Sequence, residues 1–271
     1  MIKIATIAGS DASGGAGLEA DLKTFGEYGL YGMAAVTVVA TMDPKRNWAH
    51  SVFPLEENAL KAQLETVFNG AGVSAVKSGM LGTFYAVELA ARYISDSKTK
   101  NYVLDPVMVC KGNDEALNPE LNASVERNLL PLAAVTTPNL FEAGQLSGIK
   151  NISNIEQMKE AARIIHDKGA AFVFVKGGSK LPGAVTAVDI LYDGKTFTPF
   201  EAPLIKTDWT HGAGCTSSAA IAAGLARGLP VHDAVALAKK FITQSLSASF
   251  ALNRWVGPGN PCAWRQGTLF G

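Results

Sequence analysis

This chain has few cysteines and no excess of positive or negative charge. Its 271 residues contain three cysteines, Cys110, Cys215 and Cys262, far apart and without a CxxC pair. This spacing argues against a disulfide framework and a structural zinc site, and it fits a reducing compartment. Lys+Arg and Asp+Glu both number 24, so the basic surface that nucleic acid requires is not expected. No apolar run approaches the roughly 18 residues that span a bilayer. We therefore expect a cytoplasmic protein with neither a nucleic-acid nor a membrane partner.

What is present is an alternation of short apolar runs with longer segments of helical periodicity. The predicted strands are 2–7, 34–39, 75–77, 102–104, 135–136 and 172–176, and the predicted helices are 18–28, 56–68, 84–95, 120–130, 155–168, 216–227 and 232–250. Such alternation predicts a mostly parallel sheet with helices on both faces. Near residue 187 the pattern changes to an antiparallel edge hairpin, 188–192 and 195–200, turning at Asp193-Gly194. We predict one α/β domain over residues 1–271.

The most informative motif is Thr210-His211-Gly212-Ala213-Gly214-Cys215-Thr216, which runs into an alanine-rich predicted helix. Two glycines flanking an alanine allow successive backbone N–H groups to point into one concavity, and the helix dipole adds positive potential there. The motif therefore predicts a phosphate site. The same field would favour the thiolate of Cys215, whereas nearby phosphates would oppose it. The alternative is a plain helix N-terminus with a small buried cysteine.

Other unusual residues follow predicted strands, where ligands bind in sheets of this kind. Asp105 follows the fourth strand, Asn139 and Glu142 follow the fifth, and Lys176 with two glycines ends the sixth. The loop 8–17 is glycine-rich but does not have GxGxxG spacing, so close packing remains an alternative for it. Asn139 could be a helix cap and Glu142 a first-turn residue.

Phosphoryl transfer from a nucleotide needs donors around the phosphoryl oxygens, a divalent cation and a base for the acceptor hydroxyl. The backbone of 212–214 can supply donors, and Lys176 can bridge phosphates. Asp105 and Glu142 are candidates to hold Mg²⁺. Cys215 stands where a base is needed. These roles predict a kinase site.

Several segments occur in an order found in one group of kinases. They are Ala8-Gly9-Ser10-Asp11, Ser13-Gly14-Gly15-Ala16-Gly17, Ala20-Asp21-Leu22-Lys23-Thr24-Phe25, Tyr31-Gly32-Met33, Lys77-Ser78-Gly79-Met80-Leu81, Asp105-Pro106-Val107-Met108-Val109, Thr137-Pro138-Asn139-Leu140-Phe141-Glu142-Ala143, Lys176-Gly177-Gly178 and the motif from Thr210 to Thr216. Over essentially its whole length the chain resembles the ribokinase-like superfamily, in the branch of hydroxymethylpyrimidine kinases and bacterial dual-cysteine pyridoxal kinases. The resemblance implies a three-layer ribokinase-like sandwich with a small lid near 108–118, and a homodimer.

Two positions bear on the substrate that the resemblance implies. Hydroxymethylpyrimidine kinases usually carry a glutamine where this chain has Met42, and a small residue where it has Cys110. The chain is therefore more similar to the dual-cysteine group, which implies ATP- and Mg²⁺-dependent phosphorylation of the 5-hydroxymethyl group of pyridoxal, and of pyridoxine and pyridoxamine. The thiol at Cys215 would form a hemithioacetal with the 4-aldehyde, and Cys110 on the lid would help activate the hydroxyl. The alternative is a hydroxymethylpyrimidine or hydroxymethylpyrimidine-phosphate kinase of thiamin synthesis, or both activities together.

The residues that the resemblance implies for the site form four sets. They are Cys215, Cys110, Gly212, Ala213, Gly214 and His211 for catalysis; Gly9, Asp11, Ala40, Met42, His50, Met80 and Val107 for the substrate; Asn139, Lys176, Gly177, Gly178, Thr207, Thr210, Gly214 and Lys239 for ATP; and Asp105 and Glu142 for the metal. Simpler roles stay open for several of them. Cys110 could be a small loop residue, His211 a turn residue, and His50 a surface residue.

Two other classes of function compete with a kinase. A hydrolase could use Cys215 as nucleophile and His211 as base, but two residues four apart would face each other only if both were helical, which Gly212 and Gly214 disfavour. A vitamin-binding sensor without catalysis could also bind pyridoxal. The intact set of Asp105, Asn139, Glu142 and Lys176 argues against it.

Overall fold

The architecture is built on one nine-stranded sheet. The computed structural model describes residues 1–108 and 118–265. The strands are β1 Lys3–Asp11, β2 Tyr31–Asp43, β3 Ala49–Pro54, β4 Ala75–Ser78, β5 Tyr102–Leu104, β6 Val135–Thr136, β7 Phe172–Gly178, β8 Thr186–Tyr192 and β9 Phe197–Pro203. Their spatial order is β3-β2-β1-β4-β5-β6-β7-β8-β9. Strands β2, β1, β4, β5, β6 and β7 are parallel, whereas β3 at one edge and β8 and β9 at the other are antiparallel.

Eight α-helices of the described residues cover both faces of this sheet. They are α1 Gly17–Glu27, α2 Glu57–Glu65, α3 Phe84–Ser97, α4 Pro119–Asn128, α5 Leu140–Ser147, α6 Ile155–Asp167, α7 Ala213–Ala226 and α8 Val231–Ser247. One core packs α2 to α6 on one face of the sheet, and a second core packs α1, α7 and α8 on the other. Strand residues alternate between the two cores, as in Ile7 and Ile4 of β1, because successive side chains of a strand point to opposite faces.

The predicted mostly parallel sheet with helices on both faces and an antiparallel edge hairpin is confirmed. Two elements are additional to those predicted. Strand β3 pairs antiparallel with β2, so both sheet edges are antiparallel, and the short helix α5 follows Asn139. The predicted lid near 108–118 lies outside the described residues except at its two ends, and Cys110 lies outside them too. None of the helices within residues 1–108 and 118–265 has the length and hydropathy of a transmembrane segment.

The sheet topology places the site. Strand β1 is flanked by β2 and β4, so the chain leaves β1 toward one edge and later returns on its other side. At such a switch point the loops after neighbouring strands diverge and leave a crevice at the carboxyl ends of the strands. The loops after β1, β4, β5, β6 and β7 all open on that edge.

Candidate active site

A cavity of about 560 Å³ lies at the carboxyl ends of the parallel strands. It is lined by every residue predicted for the site within the described ranges: Gly9, Asp11, Ala40, Met42, His50, Met80, Asp105, Val107, Asn139, Glu142, Lys176, Gly177, Gly178, Thr207, Thr210, His211, Gly212, Ala213, Gly214, Cys215 and Lys239. Residues more than 200 positions apart in the chain thus share one cavity. Cys110, the remaining predicted residue, falls outside the described part of the chain.

The anion turn, defined here as 212–215, forms the N-terminus of α7. Its N-cap, Gly212, has a φ of 75°, in the left-handed region that favours glycine. A Cβ on Gly212 would lie 1.8 Å from the carbonyl oxygen of Gly15, so a side chain here would collide with backbone. No side chain caps the helix, and the first N–H groups of a helix lack partners within it. The Ala213 N–H donates to the Thr210 carbonyl at 3.2 Å, so the donors that the turn can offer a ligand at the positive end of α7 are its other N–H groups, such as those of Gly214 and Cys215.

His211 joins this turn to the loop after β1. Its Nε2 lies 2.6 Å from Oδ2 of Asp11. Its backbone N–H donates to the Gly257 carbonyl, and its own carbonyl accepts from Gly259. Burial acts to raise the pKa of Asp11, but the hydrogen bond from His211 and those from Ser13 outweigh it and lower the pKa to about 2. His211 is thus bonded to Asp11, an arrangement unlike the cysteine–histidine pair that a hydrolase needs.

Asp105 lies at the centre of a row of buried charges. Its Oδ1 is 3.2 Å from Nζ of Lys176, and its Oδ2 is 4.0 Å from Nζ of Lys77. Ser218 donates a further hydrogen bond to Oδ2 at 3.0 Å. Burial acts to raise the pKa of Asp105, but the two ammonium groups outweigh it and hold the pKa below its usual range. Asp105 is therefore a carboxylate at neutral pH.

Lys176 faces the anion turn from β7. A Cβ on Gly214 would lie 3.6 Å from its Nζ, so the ammonium stands beside the helix N-terminus. Burial acts to lower the pKa of Lys176, but Asp105 and Glu142 outweigh it and raise the pKa. A permanent positive charge therefore lies next to the free N–H groups, an arrangement suited to phosphate.

Glu142 and Asn139 form the N-terminal capping box of α5. Asn139 accepts from the Glu142 backbone N–H at 3.0 Å, and the Glu142 carboxylate accepts from the Asn139 N–H at 2.9 Å. The cap and first-turn roles, left open by the sequence, are therefore real, and both residues also line the cavity. Burial raises the pKa of Glu142 to about 7, against the attraction of Lys176. A nearby cation would therefore stabilise the ionised form of this carboxyl group.

Cys215 lies in the first turn of α7 as predicted, but the expected stabilisation of its thiolate by the helix field is not dominant. Burial raises the pKa of the thiol to about 11. Lys77 acts in the opposite direction, Asp105 and Asp21 act with burial, and a hydrogen bond from the Gly17 backbone N–H favours the thiolate. Burial therefore outweighs the groups that favour the thiolate, and a pKa of about 11 keeps the group a thiol at neutral pH.

Strand β3 completes the other end of the cavity. In the antiparallel pairing of β2 and β3, Met42 lies opposite His50, which brings both to the cavity with Ala40. Gly9 fits closely there, because a Cβ on it would lie 2.6 Å from Cγ2 of Val38. Met80 and Val107 also line this end. Together they form a mixed apolar and polar end suited to a small heteroaromatic ring.

The opposite end of the cavity is anchored by a second buried ion pair. Nζ of Lys239 lies 2.6 Å from Oδ2 of Asp189 and 2.9 Å from the Ala187 carbonyl. Oδ1 of Asp189 accepts from the Gly178 backbone N–H at 3.0 Å. The ammonium of Lys239 thus holds the glycine loop after β7 through Asp189. Its predicted contact with ATP stays a prediction.

Comparison with known proteins places this geometry in a family. Residues 11–260 match the family described as phosphomethylpyrimidine kinase. The chain belongs to this family. Over 98% of its length it is 52% identical to pyridoxine kinase of Bacillus subtilis (strain 168), covering 97% of that protein.

Members of the phosphomethylpyrimidine kinase family differ in their named activities. The structure of pyridoxal kinase from Staphylococcus aureus in complex with AMP-PCP and pyridoxal matches with a TM-score of 0.93 and 44% identity, covering 98% of this chain and 95% of that one. The hydroxymethylpyrimidine/phosphomethylpyrimidine kinase of Haemophilus influenzae (strain ATCC 51907 / DSM 11121 / KW20 / Rd) is 38% identical, covering 97% of this chain and 98% of that protein. The pyridoxine and pyridoxal kinases are thus the more similar of these relatives.

Sequence reasoning assigned no role to several residues of the cavity in this family member. They include Lys77, Asp189, Ile205 and Leu246. A lysine within the apolar strand 75–77 was the available signal for Lys77, because a fully buried lysine requires an anionic partner. Leu246 on α8 carries no signal of its own, since it shares the periodicity of core positions.

Proposed function

We propose that this protein is an ATP-dependent kinase that phosphorylates the 5-hydroxymethyl group of pyridoxal, and also that of pyridoxine and pyridoxamine. The observation that carries the proposal is the anion turn facing Lys176 inside a cavity whose other end suits a heteroaromatic ring. The 52% identity to a pyridoxine kinase supports it, as does the similarity to a pyridoxal kinase solved with an ATP analogue and pyridoxal.

In this proposal different groups of the chain have different roles in phosphoryl transfer. The N–H groups of the anion turn and the ammonium of Lys176 bind the oxygens of the transferred phosphoryl group, where negative charge is largest. The sulfur of Cys215 adds to the 4-aldehyde carbon, and the carbonyl oxygen takes a proton, which gives a hemithioacetal without loss of any atom. This addition holds the neighbouring hydroxyl in line with the γ-phosphate. The acceptor oxygen then bonds to the γ-phosphorus, the bond from that phosphorus to the bridging oxygen breaks, and ADP is released, while the hydroxyl proton passes to solvent.

The buried carboxyl groups fit a divalent cation. Glu142, with its pKa raised by burial, and Asp105, an established carboxylate, both face the cavity. No cluster of three or more His, Cys, Asp or Glu side chains suited to a metal ion occurs within residues 1–108 and 118–265. A shared site of few carboxylates, water and nucleotide phosphates is typical of Mg²⁺. When bound there, Mg²⁺ would neutralise charge on the triphosphate, and Asp105 and Glu142 would hold it.

Phosphorylation of hydroxymethylpyrimidine or its phosphate is a second candidate function. The family description and the 38% identity to a hydroxymethylpyrimidine/phosphomethylpyrimidine kinase favour it. Met42, paired with His50 at the ring end, argues for pyridoxal, because a thioether cannot donate or accept the strong hydrogen bonds of a glutamine amide. We further propose a cytoplasmic homodimer in which residues 1–271 form one kinase domain with a lid near 108–118.

The deciding experiment measures kcat/KM of the purified protein with Mg-ATP on pyridoxal, pyridoxine and hydroxymethylpyrimidine in competition. We expect pyridoxal 5′-phosphate as a main product. Phosphorylation of hydroxymethylpyrimidine without turnover of pyridoxal would overturn the first candidate and support the second.

The Cys215→Ala variant tests the covalent step. We expect a larger loss of kcat on pyridoxal than on pyridoxine, because only pyridoxal carries the aldehyde that the sulfur captures. Cys262→Ala, at an exposed thiol outside the cavity, is the matched control and should keep wild-type rates. Equal losses on both vitamers in Cys215→Ala would indicate that the thiol acts only in proton transfer. Cys110→Ala, assayed in the same way, tests the second thiol.

A further inference from the structure

Lys77 is a buried cation that the proposed transfer does not use. Its side chain has no solvent exposure, and neither has that of Asp21. The Nζ of Lys77 donates to both carboxylate oxygens of Asp21, at 3.0 and 2.9 Å, and Thr6 donates to the same carboxylate at 2.6 Å. Burying two charges costs several kcal/mol per ion before they attract each other. An ion pair in this position therefore calls for a role beyond stability.

The ammonium of Lys77 is placed at the site as well as in the core. Lys77 lines the same cavity as Cys215. The Ser218 hydroxyl oxygen lies 3.0 Å from the Cys215 carbonyl oxygen and 3.0 Å from Oδ2 of Asp105, the oxygen that is 4.0 Å from Nζ of Lys77. An ammonium has three donors, and within the described ranges Asp21 alone accepts hydrogen bonds from Lys77, taking two of them. Asp105 is 4.0 Å away, beyond hydrogen-bond distance. A Cβ on Gly79 would lie only 2.9 Å from Nζ, so the glycine keeps space open beside the ammonium.

We propose that Lys77 is a positioning residue that stabilises the thiolate of Cys215. Asp21 limits this stabilisation, because its carboxylate partly neutralises the Lys77 ammonium. The inference deepens the proposed function, because the thiolate is the form that adds to an aldehyde. When Sγ loses its proton to solvent, the negative charge appears in the same cavity as an ammonium that Asp21 already holds in place. Such preorganised charge needs no rearrangement at the moment of reaction.

The charges that face Cys215 come from four elements and act in both directions. Lys77 on β4 is the largest charge that favours the thiolate, whereas Asp105 after β5 and Asp21 on α1 disfavour it. Lys176 on β7 also interacts with the sulfur. Removing Asp21 and removing Lys77 should therefore move the acidity of the thiol in opposite directions, which a merely structural role would not do.

The test measures the rate of alkylation of Cys215 by iodoacetamide as a function of pH. The background is Cys110→Ser with Cys262→Ser, so that Cys215 is the only thiol. Well below its pKa the alkylation rate follows the thiolate fraction, which changes tenfold for each pKa unit. We expect Asp21→Asn to raise the rate at pH 8.5 by about tenfold and Lys77→Met to lower it by at least about tenfold. Lys77→Arg, which keeps the charge, should restore most of the rate.

Asp189→Asn provides the matched control, since it breaks the buried pair with Lys239 at the opposite end of the cavity and should leave the alkylation rate of the thiol unchanged. If Lys77→Met does not fold, as judged by circular dichroism, Asp21→Asn alone decides. Rates that stay unchanged in Asp21→Asn, or that move in the same direction in both variants, would overturn the proposal. Alkylation needs neither ATP nor pyridoxal, so its outcome is independent of whether pyridoxal is the substrate.

Discussion

At the scale of single residues, Glu142 shows how one carboxyl group serves both the fold and the site. It closes the capping box with Asn139 and also faces the cavity. A capping carboxylate is stabilised near a helix N-terminus, yet burial raises the pKa of Glu142 to about 7. The group therefore changes charge within the range where kinases work.

This raised pKa predicts how stability depends on pH. The pKa of Glu142 in the folded protein, about 7, exceeds the ordinary pKa of a glutamate side chain, 4.5. The folded state therefore binds the extra proton between these values, and its contribution to the free energy of unfolding falls as the pH rises from 4.5 to 7. We expect Glu142→Gln, which preserves a capping box, to remove this fall. Thermal unfolding without nucleotide from pH 4.5 to 8 measures it, and parallel curves for the two proteins would contradict it.

At the scale of elements, the first turn of α7 is the part of the site that one methyl group can test. Gly214 is inside the helix, and a Cβ there makes only ordinary contact, 3.6 Å from Nζ of Lys176. The backbone can thus accept alanine, but the methyl would occupy the space where the phosphoryl group is proposed to bind.

We expect Gly214→Ala to keep the fold and to lower kcat/KM for ATP by about 100-fold or more, because the methyl group would hold the phosphoryl group away from the N–H donors, an effect comparable to losing one preorganised donor. Gly26→Ala in α1 is the matched control, because nothing lies within 4 Å of its added Cβ. Steady-state kinetics and thermal unfolding of both variants check the prediction. Wild-type activity in Gly214→Ala would place phosphate elsewhere.

The sequence predicts helices and strands that bury a periodic apolar face. It does not predict elements that are very short or that pack on one side only. Strand β3 was missed because it is an edge strand with one neighbour, exposed at Val52 and Phe53, so its residues need not alternate. Helix α5 has only eight residues, which is too short for periodicity. Its capping residues, Asn139 and Glu142, were the signal that could have found it.

The site was predicted more completely than its electrostatics. Loop residues after parallel strands converge by topology alone, so the cavity lining could be derived from the motifs. The pKa of Cys215 could not, because it depends on burial and on Lys77 and Asp21, which other elements bring into place. A helix N-terminus that is recognisable in the sequence is only one of several contributions to the pKa of a cysteine in its first turn.

At the scale of the whole molecule, the bond between Asp11 and His211 joins segments 200 positions apart. It ties the loop after β1 to the anion turn, and the backbone of His211 ties both to the segment around Pro258. The first loop, the turn and the C-terminal segment therefore form one connected unit around the cavity.

We expect Asp11→Asn to lower the free energy of unfolding at pH 7 by on the order of 2 kcal/mol, the equivalent of its pKa shift. The pKa of Asp11 is lowered to about 2 from the ordinary aspartate value of 3.8, so its contribution to the free energy of unfolding is complete above pH 4 and is lost as the pH falls through 2. Chemical denaturation at pH 7 and at pH 3 measures the difference between variant and wild type. A difference that does not shrink at the lower pH would contradict this assignment.

The separation of 200 positions between Asp11 and His211 also has a consequence for synthesis on the ribosome. Strand β1, in the interior of the sheet, is made early, whereas the partner of its ligand-facing end emerges only after residue 211 has been translated. A nascent polypeptide can thus assemble much of the sheet while lacking any working phosphate turn. Products that terminate before Gly259 should be inert, so this kinase acquires its activity in a single late event.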